Sequence, residues 1–280
     1  MRLVAVFCWL LAFIAQPAWA ASSPGLRSLE QQLAYLVASS PGDVGVAALD
    51  LRSGEVVSIN GDEPFPMAST VKVAIAANYL AQVEHGRRSL DDTIGGRSAA
   101  RLMEAMLVHS DNHATDVLLK DLGGPRTLQA WLTQIDLKGI RIDRSIARLL
   151  SDRRDLRDIR DSSTPRAMVD LLARIDSGRL LRPSSRSYLL NLMSRCMTGR
   201  NRIRGLLPYG TRVENKTGTL SGLSTDVGFI TLPDGRRVAV AFFARGGTNR
   251  PRTIAQAARA IYDSFAATLR TSFTAALSAP

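Results

Sequence analysis

The 280-residue chain carries 36 lysines and arginines against 25 aspartates and glutamates, a formal net charge of +11. The excess is spread along the chain and not blocked into a run or a helical stripe, so it reads as a solvated basic surface and not as a nucleic-acid or polyanion site. Of the two cysteines, Cys8 falls in the leader described next and Cys196 stands alone, which excludes an internal disulfide and leaves the fold to its core.

Arg2, an apolar run from Leu3 to Ile14, Pro17 and Ala18-Trp19-Ala20 form a charged start, a short hydrophobic segment and an A-x-A site. This predicts a signal peptide over 1–20, cleaved after Ala20, and a periplasmic or secreted product. The run is too short for a membrane span, and no second long apolar run follows. Leu26, Leu29, Leu33, Leu36 and Val37 share one helical face, predicting a helix over 25–39 that Pro41-Gly42 ends. Segments 44–51 and 55–59 read as a hairpin around Arg52-Ser53-Gly54. After Pro64 and Pro66, an alanine-rich helix is expected from Ser69 to Glu84. Helices are predicted at 98–108, 112–121, 125–134, 165–176 and 184–195. The stretch 139–164 is weakly periodic and reads as a long ordered loop, a length that is often functional. Beyond Pro208 the pattern becomes strand-like at 212–216, 223–232 and 238–245, with Pro233-Asp234-Gly235 as a turn. A last helix is expected over 251–269, and the tail from Thr271 reads as frayed.

Strands near both ends with helices between them predict an α+β fold. In it, one antiparallel sheet is built from both chain ends and flanked by the terminal helices, and an all-helical subdomain is inserted. The expected division is 21–65 with 209–280 for the sheet part and 66–208 for the helical part, which holds the loop 139–164. A cleft is expected at the seam.

Three short motifs fall along that seam. Ser69-Thr70-Val71-Lys72 opens a helix. A serine hydroxyl needs a base before it attacks, and a lysine three residues on shares its helical face and can lose its proton when buried beside another cation. Ser110-Asp111-Asn112 lies between two helices. Its serine can relay a proton, and its asparagine can both donate to and accept from a substrate amide. Lys216-Thr217-Gly218 lies on a strand. There the lysine holds a carboxylate, the threonine adds a hydroxyl, and the glycine lets substrate approach the backbone. Each has a plainer reading alone: an N-cap serine with a surface lysine, an N-cap cluster, and a strand end before a turn. Together, in order and in these contexts, their chance occurrence is on the order of 10⁻⁴.

This set resembles that of the class A serine β-lactamases and penicillin-binding proteins, and the resemblance runs from about residue 26 to 269. It implies Ser69 as nucleophile, Lys72 and Ser110 as proton carriers, and the N–H groups of Ser69 and Thr219 as an oxyanion hole. It further implies substrate binding by Asn112, Lys216, Thr217, Gly218 and Arg237, the last resembling the arginine that helps hold the substrate carboxylate. Arg141-Ile142-Asp143-Arg144 and Asp161-Ser162-Ser163-Thr164-Pro165 resemble the two ends of the β-lactamase Ω-loop, with Arg144 and Asp161 as its clamp. No cofactor and no metal are implied. His109 and His113, four residues apart, lack a third ligand and read as surface or packing residues.

The chain departs from the family in two places. Ile146 and Leu150 stand where the Ω-loop carries a glutamate that activates the deacylating water and an asparagine that helps hold it. Asp152, Asp155 and Asp158 remain in the loop as alternatives. Also, Ser69 and Ser110 are closer in sequence than in class A enzymes, because a loop forming one wall of the cleft is missing, which implies a more open site. The expected function is a monomeric, exported hydrolase that opens β-lactams through an acyl-Ser69 intermediate, with slow deacylation. The alternatives are a D,D-peptidase or esterase acting on an acyl-D-Ala-D-Ala-like or other substrate, and a penicillin-binding sensor without turnover. No nucleic-acid partner and no stable membrane span are expected.

Overall fold

A computed structural model describes residues 24–277 other than residue 154; the leader lies outside the described residues. In chain order, helix α1 (Pro24–Ala38) is followed by strands β1 (Asp43–Asp50), β2 (Val56–Ile59) and β3 (Phe65–Pro66). A 3-10 turn (Ala68–Val71) leads into α2 (Lys72–Glu84), then β4 (Thr93–Ile94), β5 (Arg97–Ser98), α3 (Ala99–Val108), α4 (Asn112–Asp121) and α5 (Gly124–Gln134). Next come α6 (Ile146–Ser151), β6 (Ser162–Ser163), α7 (Pro165–Asp176), α8 (Pro183–Ser194), β7 (Val213–Leu220), β8 (Leu223–Thr231), β9 (Arg237–Arg245) and α9 (Arg250–Leu277).

The main sheet has the order β2-β1-β9-β8-β7 and is antiparallel throughout, so both ends of the chain contribute, as the strand pattern predicts. Strand β9 shows why it sits in the middle. Alternate side chains of a strand point to opposite faces. Here Ala239, Ala241 and Phe243 enter one apolar cluster, while Val238, Val240, Phe242 and Ala244 enter the other. A strand that is apolar on both faces needs a layer on each side. Leu26, Leu29 and Leu33 of α1 and Ile254, Ala258, Ile261 and Phe265 of α9 cover one face. The helices between β3 and β7 build the second cluster, where α7 lies against β1 and β9. Each fully buried Leu, Ile or Phe is worth about 1.5–3 kcal/mol.

Four differences from the sequence reading matter for the site. The helix expected from Ser69 begins as a 3-10 turn and becomes regular only at Lys72. The loop 139–164 contains α6 and the short β6, which pairs with β3. Strand β7 runs past its expected end at 216, to Leu220, so the whole Lys216-Thr217-Gly218 motif lies on the strand, as its placement requires. Helix α9 runs beyond 269 to Leu277, into the tail read as frayed.

Candidate active site

The sequence places Ser69 under constraint. Ala68, directly before it, is buried and adopts φ +48°, a left-handed conformation that is costly for a residue with a side chain. The short turn that follows leaves Ser69 half-exposed at the mouth of the seam while Thr70 and Val71 are buried behind it. Strand β7 runs against this turn. A Cβ on Gly218 would lie 2.9 Å from the Ser69 nitrogen, 2.7 Å from the Met67 oxygen and 2.4 Å from Thr225 Oγ1. Only glycine allows that approach, and Thr219, next in the strand, is exposed beside it.

Lys72 lies one turn into the buried side, with no exposed surface. Its amine donates to Ser110 O at 2.7 Å, Asn112 Oδ1 at 2.9 Å and Ser110 Oγ at 3.2 Å. Burial, and then the neighbouring Lys216, lower its pKa to about 7. The second motif divides its work cleanly. Asp111 caps α4, its carboxylate accepting from the Ala114 N–H at 2.6 Å. That frees Ser110, at φ +58°, and Asn112 to face Lys72. Lys216, also fully buried, donates to Ser110 Oγ at 3.0 Å, and burial lowers its pKa to about 8. Thr217 Oγ1 lies 2.5 Å from Thr198 Oγ1. The structure therefore brings Ser69, Lys72, Ser110, Asn112, Lys216, Thr217, Gly218 and Thr219 to one seam.

Arg237 is not among them. In the sheet register Gly218 pairs with Thr225, and Thr225 with Phe243, whereas Arg237 pairs with Thr231. Six residues of strand separate Arg237 from Phe243, about 20 Å at the usual rise. Its guanidinium pairs with Asp176 and Glu214 and stacks 4.3 Å over Phe229. An antiparallel ladder puts the start of β9 at the far end of β7, which corrects the expectation that Arg237 reaches substrate. The cation at the motif is Arg202, which the sequence reading missed. Its Nη1 donates to Gly218 O at 2.8 Å and Thr225 O at 2.9 Å, and its Nη2 to Thr219 Oγ1 at 2.6 Å. Its buried Nε has no partner among the described residues. Nothing in the run Arg200-Asn201-Arg202 marks this arginine out from its neighbours.

Arg144 and Asp161 meet as expected. Arg144 Nε donates to Asp161 Oδ2 at 2.6 Å, and the backbone N–H groups of Asp143 and Arg144 donate to Oδ1 at 2.8 and 2.9 Å. The same guanidinium reaches Asp152 at 3.1 Å and Asp158 at 3.5 Å. Asp152 also pairs with Arg148 at 2.8 Å. Arg160 binds Asp158 and holds its carboxyl well below the usual range. Asp155 accepts from the Arg157 N–H and is exposed. All three loop aspartates are thus occupied in shaping the loop. Ile146 is buried at the start of α6, whose first two N–H groups donate to Asp116 at 2.7 and 2.8 Å. Ile146, Leu149 and Ile142 face Ala68, Val71 and Leu119 across a gap of about 10 Å³, also lined by Arg144 and Asp161, which are paired with each other; it has room for about one water.

Between α2 and α3 only residues 85–98 intervene, folded as the small β4–β5 hairpin. His109 and His113 are exposed. Among the described residues no group of three His, Cys, Asp or Glu is arranged to hold a metal ion, and no helix is long and apolar enough to cross a membrane.

A half-exposed serine after a strained residue, a buried lysine of lowered pKa and a shared serine hydroxyl between two lysines define an active-site serine hydrolase. The model of the β-lactamase enzyme family matches residues 28–265. The extended-spectrum β-lactamase PER-1 of Pseudomonas aeruginosa is 30% identical over 84% of this chain and 86% of its own length. The carbapenem-hydrolyzing β-lactamase KPC of Klebsiella oxytoca is 31% identical over 84% of this chain and 87% of its own. An ancestral class A β-lactamase structure superposes with a TM-score of 0.81 at 34% identity, covering 85% of this chain and all of the ancestral one. The chain belongs to the β-lactamase enzyme family, with class A enzymes as its relatives, and it is a serine β-lactamase-like hydrolase.

Proposed function

We propose that this hydrolase opens β-lactam rings through an acyl-Ser69 intermediate that forms readily and hydrolyses slowly. Neutral Lys72 takes the Ser69 proton as the oxygen attacks the lactam carbonyl. The N–H groups of Ser69 and Thr219 receive the developing oxyanion. Ser110 Oγ–H delivers its proton to the leaving nitrogen as Lys72, carrying the Ser69 proton, returns one to Ser110 Oγ, and Lys72 and Lys216 keep that hydroxyl aimed. Asn112 orients the acyl amide. Lys216, Thr217 and Arg202 hold the substrate carboxylate, with Arg202 in the role first given to Arg237.

The observation that carries the slow second step is Ile146. A deacylating water needs a base beside it, and a positioned base is worth about 10²–10⁴-fold in rate. The corresponding surface is apolar apart from the mutually paired Arg144 and Asp161, Asp152 and Asp158 are engaged by Arg144, Arg148 and Arg160, and Asp155 is exposed and accepts from a backbone N–H. The shortened connection between α2 and α3 leaves one side of the cleft open, which admits β-lactams with large substituents and acyl-D-Ala-D-Ala-like peptides. We further propose a monomer exported after cleavage near Ala20, divided into a sheet part (21–65, 209–280) and a helical part (66–208). Ser69→Ala tests the assignment: no β-lactam adduct and no hydrolysis are expected, and unchanged activity on every acyl substrate would exclude the serine mechanism.

A further inference from the structure

Behind the Lys216-Thr217-Gly218 strand lies a carboxylate that the acyl-transfer steps do not use. Asp226 stands on β8 opposite Thr217 and has no exposed surface. Its Oδ1 accepts from Asn215 Nδ2 at 2.8 Å and its Oδ2 from the Ile203 N–H at 3.2 Å. Ile203 directly follows Arg202, and Asn215 directly precedes Lys216. Arg204 Nε in turn donates to Asn215 Oδ1 at 3.1 Å. A carboxylate held by two neutral donors inside a sheet is a poor stabilising device, since an apolar residue of similar volume commonly does as well. Its position joins the turn that bears Arg202 to the strand that bears Lys216.

We propose that Asp226 is a positioning residue for substrate recognition: it fixes Arg202 in register with Lys216 and is the buried counter-charge to both cations. This rests on the reading that Arg202 and Lys216 hold the substrate carboxylate. The register is narrow. Arg202 Nη1 straddles the paired residues Gly218 and Thr225, so a slide of the turn by one residue would lose both bonds and the Thr219 contact. The charged and titratable groups around Asp226 are Arg202, which directly precedes a second 3-10 turn (Ile203–Gly205), and Lys216 from β7. Cys196 acts on both Lys216 and Arg202, and Arg250 of α9 acts on Arg202. Burial pushes the Asp226 carboxyl up to about 6, so it is charged at neutral pH, and its field opposes the loss of the Lys216 proton. Without Asp226 the Lys216 amine would lose its proton at lower pH, and carboxylate binding would fade there.

The test measures acylation of the purified protein by a chromogenic cephalosporin bearing a carboxylate, in stopped flow, with the binding constant Ks and the acylation rate constant separated. Folding of each variant is checked by its thermal unfolding. Asp226→Asn is expected to raise Ks about tenfold with the rate constant within about threefold at neutral pH. It should also move the alkaline limb of the pH profile down by about half a unit or more. Arg202→Gln is expected to raise Ks similarly, and the double variant at neutral pH to fall well short of the product of the two effects, because Asp226 acts in large part through Arg202. A folded Asp226→Asn with unchanged Ks and an unmoved alkaline limb overturns the proposal, as does full additivity in the double variant. If Asp226→Asn does not fold, Asn215→Ala cuts one tie while keeping the charge. A Ks raised about threefold with the limb in place supports the proposal, and an unchanged Ks overturns it. An Arg202→Gln protein with unchanged Ks instead removes the carboxylate reading itself, and this inference with it.

Discussion

Lys72 and Lys216 donate to the same oxygen, Ser110 Oγ, from 3.2 and 3.0 Å. A hydroxyl has two acceptor lone pairs and one proton. With both lone pairs occupied by amines, the Ser110 proton is the part left to point into the cleft, where a leaving nitrogen would sit. The two amines also repel each other's charge, and Lys216 contributes to the lowered pKa of Lys72.

The pH dependence of acylation follows. Lys72 must be neutral to accept the Ser69 proton, so acylation should rise as pH passes about 7. Lys216 must stay protonated to hold a carboxylate, so it should fall as pH passes about 8. The expected profile of acylation rate is a narrow bell between these values, measured by pre-steady-state absorbance with a chromogenic β-lactam. A profile flat from about pH 6 to 8 would remove Lys72 as the base.

Ile146→Glu should restore a base where the loop now presents a methyl-bearing surface. The expected result is an acyl-enzyme that decays at least about tenfold faster, toward the 10²–10⁴-fold span of a positioned base. Placing a carboxylate among Ile142, Leu149 and Val71 should cost about 1–3 kcal/mol of stability. Decay of the adduct by intact mass reads the first, and urea unfolding the second. An unchanged decay rate in a folded variant would mean that the slow step lies elsewhere.

The sequence made the sheet, the helices and the three motifs legible because each rests on local chemistry: strand alternation, helical periodicity, and short runs whose spacing is fixed by one turn or one strand. The Ω-like loop was legible at its ends, since Arg144 and Asp161 bracket it, but its interior was not. Helix α6 is six residues long and depends on Ser145 and Asp116 to satisfy its first N–H groups, the second of them 30 residues away in the chain. Arg237 and Arg202 mark the limit. Which arginine reaches Gly218 depends on register across three strands and on where a 3-10 turn docks, and an arginine-rich sequence offers no local mark for either.

The loop clamp gives a stability prediction. Arg144 is buried and binds Asp161, Asp152 and Asp158 at once. Arg144→Ala leaves Asp161 inside without its cation, and loss of one partner of a buried pair typically costs about 3–5 kcal/mol. Urea unfolding should register a loss in that range, and hydrogen exchange should show residues 144–161 opening first. A loss under about 1 kcal/mol would mean that the loop is held by other contacts.

The most direct test of the central claim is a time course of the purified protein with a chromogenic cephalosporin, followed by absorbance and by intact mass in the same sample. A burst close to one equivalent, an adduct that maps to Ser69, and slow turnover limited by adduct decay are expected. Sustained turnover without a retained adduct would contradict the claim, and would mean that this chain activates its deacylating water by a route other than the loop surface around Ile146.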